Sequence, residues 1–192
     1  MANFLLQERF QYDHLLVSGD ISSTSKRDEF SQAKAFLNKL KVKTAISLIP
    51  GNHDVYIEGS LSLFKDVLAP EFADLEYPSL AKLSDRVFIL KLDTCFAAPL
   101  LSSQGIITDE EIEQARSLID SVPDNSLLLV TGHYHLVEEG KGHYRRNMIQ
   151  AEKLLEMLQQ KGVKYYFHGH LHDRFCIQKD GMFFLNSGSS AR

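Results

Sequence analysis

Four short stretches of this chain carry side chains that bind metals or move protons. "VSGD" ends in Asp20, "PGNHD" holds Asn52, His53 and Asp54, "TGHYH" holds His133 and His135, and "HGHLH" holds His170 and His172. Each follows an apolar run, and each contains a glycine that lets the backbone turn before the polar residues. In an open α/β sheet, side chains just past the carboxyl ends of the strands converge on one crevice. Taken singly, each stretch has a plain reading. Asn and Asp side chains bond their own turns, Asp20 caps the segment that follows, and a histidine finds a hydrogen bond or faces solvent. Four matching places together point instead to a metal site.

The residue types narrow the chemistry. Carboxylate, carboxamide oxygen and imidazole suit borderline divalent ions such as Mn, Fe, Zn, Co or Ni. No thiolate lies near these turns, which argues against a structural zinc cage. Five or six ligands exceed the needs of one four-coordinate ion. Two ions sharing a bridging carboxylate use them well, and paired ions about 3.5–4 Å apart handle phosphoryl chemistry.

The elements that must position these residues follow from the hydrophobic pattern. "HLLVSGD", "TAISLIPGNHD", "SLLLVTGHYH" and "VKYYFHGHLH" read as strands running into loops. Phe30, Ala33, Leu37 and Leu40 keep helical spacing. Thr108, three residues ahead of Glu111, gives a capping box before Ile112, Ala115, Leu118 and Ile119. Ala151, Leu154, Leu155 and Leu158 mark another helix that stops at Gly162. Two hairpins are expected, one turning at Asp85-Arg86 and one at Asp180-Gly181. This alternation is the form of an α/β layered fold.

Bulk properties set limits. At 192 residues the chain fits one domain, and a hydrophobic content of 44% with 24% charged residues is ordinary for a globular protein. The net charge of −4 argues against extensive nucleic-acid binding. The two cysteines, Cys95 and Cys176, are far apart and read as reduced thiols in a cytoplasmic protein. No secretory leader is expected, and no apolar run approaches the roughly 18 residues of a membrane span.

At this point the motifs resemble those of the calcineurin-like metallophosphoesterases: G-D at Gly19-Asp20, G-N-H-D at Gly51 to Asp54, His133 after a strand, and G-H-x-H at Gly169 to His172. The resemblance runs from about residue 12 to the end. It implies an αββα sandwich of four layers, two mixed β-sheets flanked by helices, with a dinuclear centre at the strand ends. Asp20 would bridge two divalent ions, with Mn the expected metal in vitro. Asn52, His133 and His170 would complete one ion's ligands, and His172 would serve the other. His53 would act as a general acid over the substrate, with Asp54 orienting its ring. The reaction implied is hydrolysis of a phosphodiester or phosphomonoester by a metal-activated hydroxide. His135 is the fallback ligand, because "HYHL" replaces the family's usual His-His-Pro.

One departure stands out. The family's D-x-H motif normally precedes G-D, and nothing ahead of Asp20 supplies it; Asp13 and His14 read as strand-edge positions. The expectation is one domain over residues 1–192, cut short at its amino end and missing its first strand, with the edges of two neighbours exposed. Such a chain would hold one metal weakly and turn over poorly. The rival reading is a non-catalytic interaction module on the same scaffold, against which the retained His53 speaks. A small phosphoester is the expected partner, with nucleotides among the candidates. Arg145 and Arg146, beside Lys141, His143 and Tyr144, are the candidate substrate contacts; a solvated loop is the alternative reading.

Overall fold

The computed structural model describes residues 12–72, 75–97, 104–137 and 148–189. Its strands are β1 His14–Val17, β2 Ala45–Leu48, β3 Ser79–Ser84, β4 Val87–Lys91, β5 Gly105–Ile106, β6 Leu127–Thr131, β7 Met148–Ile149, β8 Tyr165–His168, β9 Arg174–Lys179 and β10 Met182–Ser187. The helices are α1 Arg27–Lys41, α2 Ser60–Leu68, α3 Asp109–Asp120 and α4 Ala151–Gln160.

The larger sheet has the order β3-β4-β6-β8-β10-β9. Its four central strands run parallel, and β3 and β9 close the two edges antiparallel. Register explains its core. Leu90 lies opposite Val130, Val130 opposite Tyr166, and Tyr166 opposite Phe184. This row crosses the sheet with each member 0% exposed. It packs with Ile112 and Ala115 of α3 and Leu154 and Leu158 of α4 in one apolar cluster. Because successive side chains alternate faces, Ile89, Leu129, Tyr165 and Phe183 occupy the opposite face.

The smaller sheet is built from β1 and β2. β1 and β2 pair directly in parallel, from His14 opposite Ala45 to Val17 opposite Leu48. Among the described residues this sheet is two-stranded and wholly parallel rather than mixed. His14 spends its ring on Ser47, Nε2 to Oγ at 2.9 Å, within this pair. α1 and α2 cover the sheet through Phe30, Leu37, Phe64 and Leu68, which cluster with Leu48. Helices therefore flank the sheets, as the layered reading requires.

Local signals explain several boundaries. Thr108 Oγ1 accepts from the Glu111 N–H while the Glu111 carboxylate accepts from the Thr108 N–H, the reciprocal box expected before α3. Glu29 serves α1 in a similar way, accepting from the backbone of Thr24 and Lys26. Asp180 and Gly181 both take left-handed angles in the β9–β10 turn, which suits the twist of a two-residue hairpin. The pattern gave no expectation for α2, β5 or β7, and the last two are only two residues each.

Phe30 and Phe64 meet edge to face with ring centroids 5.7 Å apart, both fully buried between α1 and α2. Replacing Phe64 with alanine is expected to cost about 3–5 kcal/mol. Urea unfolding reads this directly, and a loss below about 1 kcal/mol would contradict the packing described.

Candidate metal centre

All four strand-to-loop units end at one place. β1 leads to Asp20, β2 to Asn52, His53 and Asp54, β6 to His133, and β8 to His170 and His172. The loops after β1 and β2 touch backbone to backbone. A Cβ on Gly19 would lie 2.5 Å from the Gly51 nitrogen, and one on Gly51 would lie 2.2 Å from an Asp20 oxygen. Gly169 is pressed in the same way onto the Ser18 carbonyl, and Gly132 onto the Tyr166 hydroxyl.

These contacts revise the expected role of the glycines. Gly19 has a left-handed φ of 94°, but Gly51, Gly132 and Gly169 do not adopt that region. Three of the four are there for close approach rather than for the turn. The turning falls on the functional residues themselves, with φ of 57° at Asp20, 64° at His170 and 61° at His172. Such backbone is uncommon outside glycine and marks functional sites.

The side chains converge tightly. Asn52 Oδ1 lies 2.9 Å from His133 Nε2 and 2.9 Å from His170 Nδ1. Asp20 Oδ2 lies 3.5 Å from His133 Nε2 and 3.9 Å from His172 Nε2. His133 Nδ1 donates to the Ser18 carbonyl at 2.7 Å. A carbonyl can only accept, so in the neutral ring the proton sits on Nδ1 and Nε2 presents its lone pair. As the amide is oriented, a lone pair, an amide oxygen and a carboxylate oxygen face one another. A proton on His133, a turned amide or a bound cation relieves that arrangement.

A cation fits the spacing. Two donors each about 2.1 Å from one ion stand about 3.0 Å apart at right angles and about 3.4 Å apart in a tetrahedron. The observed separations of 2.9–3.5 Å match. Among the described residues no group of three or more His, Cys, Asp or Glu gathers by itself; the convergence is centred on the carboxamide of Asn52. His172 approaches the same Asp20 oxygen as His133, whereas His170 meets Asn52, so these two histidines of "HGHLH" face different neighbours.

His53 and Asp54 do not form the expected pair. His53 Nδ1 donates to the Ser23 carbonyl at 3.0 Å, and its backbone N–H donates to Asp20 Oδ1 at 3.0 Å. Asp54 is fully buried and accepts from the backbone of Ile21, Ser22 and Gly51 and from the Ser22 hydroxyl. It ties the Asp20 loop to the Gly51 loop and leaves ring orientation to Ser23. Burial pushes its carboxyl above the ordinary range, while the Gly51 N–H pulls the other way.

His135, the fallback ligand, is buried behind the cluster, its ring 6.4 Å from His170 and 6.2 Å from His168. His168 is buried too, and loss of solvation drives its pKa down to about 3, keeping it neutral. Arg145, Arg146 and the rest of their loop lie outside the described residues.

Several supporting residues escaped the sequence reading. Thr94 Oγ1 accepts from the N–H of both His133 and Tyr134 and so fixes the loop after β6. Asn186, at the end of β10, donates to the Gly169 carbonyl at 2.7 Å and steadies the loop after β8. Ser25, buried with φ 58°, donates to the His53 carbonyl at 2.7 Å and accepts from the Tyr56 N–H at 2.9 Å. The one available signal was position, because Thr94 and Asn186 also stand at the carboxyl ends of parallel strands.

Two outcomes follow from this geometry. Asp54→Ala strips the acceptor from four donors and is expected to cost at least about 3 kcal/mol, with Asp54→Asn recovering part of it. Chemical unfolding of both variants tests this, and a cost below about 1 kcal/mol for alanine would rule out the tie. Asp93 offers a pH test, because burial raises its pKa from 3.8 to about 7 against the pull of the Cys95 N–H. An acid harder to ionise when folded favours the native state at low pH, so its share of stability drains away as pH rises from about 4 to about 7. Melting curves across that window should fall less steeply for Asp93→Asn than for the parent; parallel profiles would contradict the assignment.

Comparison with known proteins agrees with the site. A model of the calcineurin-like phosphoesterases matches residues 3–174. A probable cyclic nucleotide phosphodiesterase of Coxiella burnetii is 20% identical over 168 residues, 87% of this chain and 63% of that protein. A 3′,5′-cyclic-nucleotide phosphodiesterase of Nostoc sp. is 23% identical over 189 residues, 95% of this chain and 64% of that protein. The chain thus spans under two thirds of the length of either relative. Among solved structures, a dimetal phosphatase from Danio rerio superposes with a TM-score of 0.69 at 14% identity, over 96% of this chain and 74% of that one. The matched model covers most of the described strands and all four loops that carry the converging residues, and this chain belongs to the calcineurin-like phosphoesterase family.

Proposed function

We propose that this chain hydrolyses a phosphodiester or phosphomonoester bond with the help of two divalent metal ions. The observation that carries the reading is the approach of Asn52 Oδ1 and Asp20 Oδ2 to His133 Nε2, with His170 Nδ1 against the same Asn52 oxygen. Asp20, Asn52, His133 and His170 would hold one ion; Asp20 and His172 would contribute to the other. Manganese is the metal to try first, since the donor set of oxygens and imidazoles admits it. Bound divalent ions lower the pKa of water and neutralise phosphoryl charge.

The chain's own residues then divide the work. Ser18 holds the His133 ring in the tautomer that leaves Nε2 able to bind. Ser23 holds His53 through Nδ1, so the proton that His53 passes to a leaving oxygen comes from Nε2 of the charged ring. The Ser22 and Ser25 hydroxyls hold the His53 carbonyl at 3.1 and 2.7 Å, which fixes the backbone whose N–H donates to the Asp20 carboxylate. Tight ordering of this kind spares the reaction the entropy of finding its geometry.

The reading predicts manganese-dependent turnover of bis(p-nitrophenyl) phosphate. His53→Ala should lower kcat about a hundredfold or more. Asn52→Ala should weaken manganese binding, measured by calorimetry, along with turnover. Retained turnover in either variant, or tight manganese binding without any phosphoester hydrolysis, would sink the proposal. One equivalent of manganese should bind well ahead of a second, because His172 has only Asp20 beside it among the described ligand candidates.

A further inference from the structure

We infer that Tyr56 is a specificity-determining residue, a platform for a planar aromatic group on the substrate such as a nucleobase. The inference rests on the phosphoesterase reading and adds a substrate class to it. Two neighbours in the loop after β2 are large, apolar and open to solvent: Tyr56 is 53% exposed and Ile57 60% exposed. Both come within three residues of Asp54, at the end of the stretch that builds the centre. The Tyr56 ring lies parallel to that of His53, with 5° between planes and 6.3 Å between centroids.

The exposed ring is also held in place. Its backbone N–H donates to the Ser25 hydroxyl, and that hydroxyl donates in turn to the His53 carbonyl. Ser25 is buried and accepts a left-handed backbone at this position. Tyr56 and His53 are thus anchored to the same hydroxyl, so the ring's base cannot drift relative to the acid. An exposed side chain with no substrate to meet has no need of such an anchor.

Position supplies the chemistry. A group leaving from phosphorus takes its proton from His53 and must extend across that ring's surroundings. The neighbouring surface is a parallel aromatic face, with the exposed Ile57 next in the chain. Flat, weakly hydrated rings bind such a face by stacking, without hydrogen-bond readout, so the site would favour a nucleobase over a bare sugar while tolerating different bases.

The test uses the manganese-loaded chain and three probes, adenosine 5′-monophosphate, ribose 5-phosphate and inorganic phosphate, titrated by calorimetry. The nucleotide should bind more tightly than ribose 5-phosphate. Tyr56→Ala should weaken nucleotide binding about tenfold, leave phosphate binding within twofold, and be rescued by Tyr56→Phe. Equal affinity for nucleotide and ribose 5-phosphate, or no change in nucleotide binding on Tyr56→Ala, overturns the platform while phosphate binding keeps the phosphoesterase reading intact. Failure of all three probes to bind the loaded parent chain overturns that reading and the platform with it.

Discussion

The site exists because two loops from different strands touch with nothing between their backbones. Gly19 and Gly51 leave no room for a Cβ on either side, and Asp54 binds donors from both loops at once. That contact sets how far Asp20 stands from Asn52. It also brings Ser18 under the His133 ring, which arrives from the other sheet. The remaining supports, Thr94 under His133 and Asn186 under Gly169, hold loops whose positions this contact already limits. A side chain added at Gly19 or Gly51 would move oxygens that must stay about 3 Å from nitrogen partners.

The fold accepts local cost in exchange. Left-handed backbone at Asp20, His170 and His172 is unfavourable by about 1 kcal/mol or more each for residues with a Cβ. Glycine would relieve that cost but would remove a donor. Asn52 and His133 bring electron-pair donors into contact, and Asp54 carries its carboxyl into the interior. The two apolar clusters that flank the sheets offset these terms, and the four loops concentrate them at one end of the strands. Stability and chemistry are thus drawn from different parts of the same sheets.

Much of this is legible in the sequence. Periodicity located β1, β2, β6 and β8 and the helices α1, α3 and α4, because each has a run long enough to show its period. The helix α2 and the two-residue strands β5 and β7 were not visible, since short elements depend on partners rather than on their own pattern. The ligand-type residues were found because they follow apolar runs at four equivalent places. Their supports were missed, because a threonine or asparagine at a strand end looks like any turn residue until its partner is known. Two expectations changed. Asp54 proved a tie between loops rather than a partner for the His53 ring, and three glycines proved to be points of contact rather than of turning. Both depend on distances between segments far apart in sequence, which no local pattern encodes. The chain that opened as four glycine-bearing turns is better described as four loops pressed against one another until their donors meet.

The central claim is that the meeting point of Asp20, Asn52, His133 and His170 is a cation site. Anomalous diffraction from crystals grown with manganese tests it most directly. The account predicts a peak within about 2.3 Å of Asn52 Oδ1, His133 Nε2 and Asp20 Oδ2, with His170 completing the set. A peak between His135 and His168 instead, or no peak at saturating manganese, would contradict it.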